Sequence, residues 1–223
     1  MAAQLVKGVV VAAHSIKLSI IIPVLNEGAG LAKLFDSLQP IVNGSFELIF
    51  VDGGSEDTSV EQLRSYARRS AAHVSVTSSP CGRAIQLNTG ASQAKGHVLL
   101  FLHADTLLPK DTRYQFLGKV SGDKFWGRFD VQLDCNTWPF RVISAFINGR
   151  SRLSGIATGD QAIFVSKKLF EQVGGFPDQL LMEDVELSKR LKLIASPICL
   201  GDKVITSARK WKKGGLILSL IHI

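Results

Sequence analysis

The sequence predicts an α/β fold, with a mostly parallel central sheet flanked by helices and a small antiparallel part in its second half. Three observations predict it. Through the first half, apolar runs of strand length alternate with patterns of helical spacing. Those runs are largely apolar rather than alternating, as strands covered on both faces are. In the second half "FWGRFDVQLD" does alternate, and reads as an antiparallel or edge strand.

The elements follow in order. "KLSIIIPVLNE" gives a strand from Lys17 to Ile22, stopped at Pro23 because proline cannot donate to a central ladder. "AGLAKLFDSLQPI" places Leu31, Leu34, Phe35 and Leu38 on one helical face. "FELIFVDGGS" is a second strand ending at Asp52, followed by a glycine turn. "EDTSVEQLRSYARR" is a helix burying Val60, Leu63 and Tyr66 or Ala67. "HVSVTSS" is a third strand, "RAIQLNTGASQAKG" a helix with a glycine stop, and "VLLFLHADTLLP" begins as the fourth strand.

Beyond it, "TWPFRVISAFINGRSRLSG" reads as a helix and loop. "DQAIFVSKKLFEQVGGF" is a strand and a short helix closed by a glycine pair. "MEDVELSKRLKLIA" is a helix with Leu187, Leu191 and Ile194 on its apolar side, and "DKVITSARKW" a last strand running into a basic loop. Residues 17–217 are expected to form one domain, with 17–109 and 110–217 as its halves and 1–16 as an N-terminal extension.

Composition narrows the function classes. At 46% hydrophobic and 20% charged, the 223 residues supply a sizeable core. Cys81, Cys135 and Cys199 are odd in number and scattered, which argues against a disulfide framework or a zinc site and fits a reducing compartment. The formal charge of +7 is partly gathered in "RKWKKGG" from Arg209 to Gly215. No helix-turn-helix, zinc-finger or RNP pattern accompanies it, so nucleic acid is not the expected partner. No apolar run is long enough to span a bilayer. The expected location is cytoplasmic or membrane-peripheral, with organelle targeting through residues 1–16 left open.

The fourth strand carries the chemistry. Its apolar run, Val98 to Leu102, leads straight into His103 and Asp105. A buried carboxylate without a partner is costly, so Asp105 belongs at the open end of the strand or beside a positive group. Ligands of parallel sheets bind at the carboxyl ends of the strands. The stretch from Pro23 to Glu27, Asp52 and Asp105 all sit at strand ends and should meet on one rim.

Four stretches in this order, "IIPVLNE", "FVDGGSEDT", "FLHADT" and "EDVELSKRL", resemble the family 2 glycosyltransferases of the GT-A fold. "GRAIQLNTGA", "WGRFDV", "TGDQAIF" and "SARKW" are most similar to the rSAM/selenodomain-associated transferase subfamily. The resemblance implies an inverting transfer of a sugar from a nucleotide-sugar donor to an acceptor hydroxyl, with a divalent cation, Mn2+ or Mg2+. It places Asp105 as metal ligand. His103 stands where the family has an aspartate; a neutral imidazole ligates Mn2+ but suits Mg2+ poorly. It could equally hydrogen-bond a phosphate or brace the loop. Pro23, Asn26, Glu27, Asp52, Gly53, Arg83 and Ala104 match the donor pocket. Asp184 matches the general base, with Glu183 as the second candidate, since adjacent helical residues point about 100° apart. Asp160, Gln161 and Trp211 match the acceptor side.

Plainer readings stay open beside these: a helix cap for Asn26 and Glu27, a surface arginine for Arg83, and a helix N-terminus favouring Glu183 and Asp184 through its dipole. The acceptor, lipid-linked or a small molecule, is not specified, and the basic stretch after Ser207 is the candidate for peripheral membrane contact. Three rivals remain: a nucleotidyltransferase, a catalytically idle nucleotide-sugar binder, and a basic surface binder. The last six residues, "LSLIHI", are what a transposon end used in sequencing libraries encodes. Residues 218–223 are therefore expected to be non-native, the natural protein continuing past about Ile217.

Overall fold

The computed structural model describes residues 17–41, 45–70, 73–109, 120, 122–179 and 181–209. Residues 1–16, Trp211 and residues 218–223 lie outside them. Strand β1 (Leu18–Val24) is followed by α1 (Leu31–Leu38), β2 (Phe46–Asp52), α2 (Ser59–Arg69), β3 (His73–Ser78), α3 (Arg83–Gln93) and β4 (Val98–Phe101). Then come β5 (Thr106–Leu107), β6 (Trp126–Leu133), α4 (Trp138–Ser154), a 3-10 turn (Gly159–Gln161), β7 (Phe164–Ser166), α5 (Lys167–Gln172), α6 (Glu183–Lys192) and β8 (Ile198–Thr206).

One mixed sheet holds these strands in the order β3-β2-β1-β4-β7-β6-β8-β5. β3, β2, β1 and β4 are mutually parallel, so the ends of β1, β2 and β4 open on one rim. β7 is antiparallel to both β4 and β6, and β5 to β8. Both faces are covered. Leu18, Ile20, Ile22 and Val24 of β1 lie in a core with Leu34 of α1, Leu63 of α2 and Ile143 of α4. Ile21 points the other way, into a core with Leu87 of α3 and Leu187 of α6. Gly90 lets α3 sit close on the sheet: a Cβ there would come 3.0 Å from Val51 and overlap Ile21.

Three expectations are corrected. Strand β1 runs through Pro23, which pairs with Val51 of β2. The Ile21 carbonyl accepts from Leu102 on the β4 side, and two residues on, the Pro23 nitrogen faces that same side. β4 has ended at Phe101, so no ladder bond is lost. Ile194 is exposed, beyond the last turn of α6, whose apolar side is Leu187 and Leu191. And "FWGRFDVQLD" is not an edge: β6 lies between β7 and β8, antiparallel to the first and parallel to the second.

The polar positions of β6 alternate because they build a buried ion network. Arg128 is fully buried and bonded to Asp130. It also donates to Ser151 Oγ at 3.1 Å and to the Asn148 carbonyl at 3.2 Å, both on α4. Asp130 accepts a second bond from Arg152 of α4 at 2.8 Å. Removing one partner of a buried pair strands the other charge. Asp130→Ala should therefore lower unfolding free energy in urea by about 3–5 kcal/mol. Arg152→Ala removes a half-exposed partner and should cost no more than about 1 kcal/mol. Equal losses in the two variants would contradict this account.

Candidate active site

The rim is held by side chains that bond neighbouring loops. Gln86 of α3 is buried, and its Nε2 donates to the carbonyls of Val24 and Val51, each at 2.9 Å. It thereby fixes the ends of β1 and β2 beside each other. Gly53 leaves room for it: a Cβ there would sit 2.9 Å from the Gln86 carboxamide carbon. Asp52 turns its carboxylate onto its own loop, accepting from Gly54 N–H at 3.0 Å and Ser55 N–H at 3.2 Å. Asn26, in a left-handed conformation (φ 54°), accepts from Glu56 N–H at 2.8 Å. Asn26 therefore joins two rim loops and caps no helix; Gly30 occupies the N-cap of α1.

Six of the residues singled out from sequence, Pro23, Glu27, Arg83, His103, Ala104 and Asp105, line one cleft of about 360 Å³. Asn26, Asp52 and Gly53 stand behind its wall, as the frame of the loops. The positive partner of Asp105 is Arg209. Its Nη2 lies 2.8 Å from Glu27 Oε2 and 3.6 Å from Asp105 Oδ2. The hydrogen bond to Glu27 raises the Arg209 pKa most; burial opposes this, and the charges of Glu27 and Asp105 add to it. Two carboxylates from different strand ends thus share one cation.

His103 is turned elsewhere. Its Nδ1 lies 3.1 Å from Asp160 Oδ1, so the imidazole faces the 3-10 turn. No cluster of three or more His, Cys, Asp or Glu side chains suited to a metal occurs among the described residues. Magnesium and manganese are commonly held by one or two carboxylates with substrate phosphate completing the shell. Glu27 and Asp105 fit that pattern.

The same turn reaches the start of α6. Gly159 N–H donates to Asp184 Oδ2 at 2.5 Å, and Val185 N–H to Asp184 Oδ1 at 2.7 Å. Asp184 stays half-buried, whereas Glu183 is 2% exposed and paired with Arg83 Nη1 at 3.3 Å. Arg150 of α4 is nearby; burial lowers its pKa and the charge of Asp184 raises it. Gln161 is fully buried, and its Oε1 accepts from Thr158 N–H at 3.2 Å as half of a capping box. It holds the turn together, while Asp160 meets His103. Trp211 lies outside the described residues. Gln86, Arg150 and Arg209 carry more of the site than their sequence patterns signal; Gln86, Gly159 and Arg209 stood in the marked stretches "GRAIQLNTGA", "TGDQAIF" and "SARKW" without a role as contacts, and Arg150 stood in none.

The family model for glycosyl transferase family 2 matches residues 19–173, well over half of the chain. The chain belongs to that family. Among curated relatives, an undecaprenyl-phosphate 4-deoxy-4-formamido-L-arabinose transferase of Pseudomonas savastanoi is 29% identical over 64% of this chain and 44% of its own. A PGL/p-HBAD biosynthesis glycosyltransferase of Mycobacterium bovis is 37% identical over 40% of this chain and 36% of its own. The chain spans less than half the length of these relatives. The solved structure of the mannosyltransferase PcManGT from Pyrobaculum calidifontis, with GDP-Man and Mn2+, superposes with a TM-score of 0.70 at 19% identity, covering 87% of this chain and 57% of that one. S. aureus TarS (1–349) with UDP-GlcNAc gives 0.66 at 20% identity, over 87% and 59%. These two share the fold, a GT-A α/β sheet.

In this family 2 domain, the turn at Gly159–Gln161 separates His103 from Asp184, and Gly159 has no space for a side chain. A Cβ there would overlap the His103 imidazole and lie 3.4 Å from Asp184 Oδ2. Gly159→Ala should destabilise by about 1–3 kcal/mol, as overpacked sites do. His103→Ala added to it should recover most of that loss, which thermal unfolding of the single and double variants would show. A second expectation concerns Arg209. Its removal leaves Glu27 and Asp105 uncompensated, so Arg209→Ala should bind Mn2+ several-fold more tightly than the wild type when no nucleotide is present. Electron paramagnetic resonance of free Mn2+ reports this directly, and an unchanged affinity would mean that the two carboxylates do not hold the cation.

Proposed function

We propose that this domain transfers a sugar, with inversion, from a nucleotide-sugar donor to an acceptor hydroxyl. The observation that supports this reading most is the convergence of Glu27 and Asp105 on one displaceable cation. Asp184, beyond the lining of that cleft, is held by the backbone N–H groups of Val185 and of Gly159, the residue against which His103 of the cleft packs. The nucleotide-sugars bound in the two fold neighbours, GDP-Man and UDP-GlcNAc, are of the class proposed.

The donor's nucleotide would lie along Pro23, Glu27 and Arg83, with its diphosphate toward Ala104 and Asp105. A divalent cation, when bound by Asp105 and Glu27, neutralises charge developing on the leaving diphosphate. Arg83 is kept in position by its ion pair with Glu183. That pairing takes Glu183 out of the role of base and leaves Asp184. Asp184 would accept the acceptor's proton as the hydroxyl oxygen attacks the anomeric carbon from the face opposite the leaving group. One general base is enough, since no acid is needed for a diphosphate. Gly159 and Val185 N–H groups orient the carboxylate. Asp160 holds the His103 ring against the turn, and so fixes the wall between donor and acceptor.

A lipid phosphate is the second reading of the acceptor, favoured by the similarity to the undecaprenyl-phosphate 4-deoxy-4-formamido-L-arabinose transferase of Pseudomonas savastanoi. The two readings differ in their need for a base, because a phosphate oxygen is already ionised. Donor binding would be measured as thermal stabilisation by UDP-, GDP-, CDP- and dTDP-sugars with Mn2+, Mg2+ or EDTA. A metal-dependent rise with one base, lost in Asp105→Ala, is the expected result. No rise with any of them would remove the donor reading. With the donor known, Asp184→Asn should keep that rise and lower turnover by about 10²–10⁴-fold for a hydroxyl acceptor. A loss below tenfold would mark an acceptor that arrives ionised, and a lipid phosphate would replace the hydroxyl.

A further inference from the structure

Helix α4 presents an apolar stripe to solvent. Trp138, Val142, Phe146 and Leu153 are 75%, 56%, 51% and 91% exposed. At about 100° per residue these four fall within roughly 80° of one another around the helix. Phe140, Ile143, Ile147 and Ser151 occupy the opposite side and are buried on the sheet. A surface helix ordinarily turns its charged face outward; α4 carries large apolar groups on its outer face as well as its buried one. Isolated exposed apolar residues need no explanation, but an aligned set does.

The charges on α4 say what would cover it. Its sequence, "WPFRVISAFINGRSRLS", has three arginines and no carboxylate. Arg141 and Arg152 flank one side of the stripe at the same helical spacing. Along that edge runs a groove of about 570 Å³ between α4 and β6, whose lining includes Arg141, Lys203, Phe140 and Val142. Trp, Phe and Leu beside Arg is the composition of helices that lie in a membrane interface, with apolar groups at the acyl boundary and cations among anionic headgroups. The chain's overall charge of +7 favours such a surface as well.

We infer that the outer face of α4 docks on a lipid surface bearing anionic headgroups. The inference rests on α4 alone, not on the basic stretch after Ser207, most of which lies outside the described residues. It also lies next to the chemistry: α4 ends at Ser154, and the following residues lead directly into the Gly159–Gln161 turn. Lys192 of α6 donates to the Ser154 carbonyl at 2.6 Å, which brings the exposed Leu193 to the same end of the helix.

The test is co-sedimentation of the 223-residue chain with vesicles of phosphatidylcholine alone and with phosphatidylglycerol added. Binding at least tenfold tighter to the phosphatidylglycerol vesicles, weakening with salt, is expected. Val142→Glu with Phe146→Glu should lose at least tenfold, and Arg141→Glu less, at unchanged melting temperature. Three results would overturn the inference: no binding to either vesicle, equal binding by the double variant, or a wild-type dimer that the double variant converts to monomer. The last would make the stripe a contact between copies of the chain. No nucleotide is present in these experiments, so failure of the donor reading leaves them decisive.

Discussion

Carboxylates crowd the open rim of the sheet, and each has to be met by a donor or a cation, because a buried charge without one is not tolerated. The loops are arranged to supply them. Asp52 is met by two N–H groups of its own turn, and Asp184 by Gly159 and Val185. Asp160 is met by His103, and Glu183 by Arg83. All of these partners are backbone groups or side chains set on regular elements or their ends. Glu27 and Asp105 differ. Their shared partner is an arginine half-exposed at the end of the described chain. The two carboxylates are themselves largely buried, so a cation that leaves them has to be replaced by another. Among the described residues they are the rim carboxylates that share one solvent-facing cation, and both line the cleft.

The first half of the fold was legible because its strands are buried on both faces, so they read as plain apolar runs between helix-spaced patterns. Convergence of Pro23, Glu27 and Asp105 followed from parallel strands alone. β6 does pair antiparallel with β7, but its alternation does not mark an edge, for the complementary reason. Alternation signals a solvated face only when the polar residues reach water, and Arg128 and Asp130 are answered inside the protein by α4. Nothing in a period of two distinguishes the cases. Pro23 likewise violates no ladder once β4 is known to end short of it, a fact that register supplies and sequence does not. In the site, strand ends marked the acidic residues, but not their partners. That Arg209 would stand beside Asp105, or that Gln86 would join β1 to β2, depends on contacts across 104 and 62 positions, where periodicity is silent.

The arrangement around Gly159 joins His103 to Asp184 through a single turn. The turn is narrow because a capping box closes it over three residues, with Gln161 buried as its lock. His103 presses on one side and Asp184 is bonded on the other. The turn puts one peptide unit between the His103 imidazole and the Asp184 carboxylate, so their positions are tied together by packing.

α4 extends that linkage outward. Its inner face is tied to β6 through the ion network, which fixes its rotation and hence the direction in which Trp138, Val142, Phe146 and Leu153 point. A helix held only by apolar contacts could roll to bury such a stripe; one whose Arg152 and Ser151 are bonded to Asp130 and Arg128 cannot do so without breaking them. The cost of those buried charges is thus connected to the surface as well as to the core. Arg150 lies on the same helix, and the charge of Asp184 raises its pKa against the larger effect of burial, so the helix that sets the exposed stripe also carries a cation within electrostatic reach of Asp184. A lipid surface under α4 would meet the helix whose C-terminal end leads into the turn that bonds Asp184.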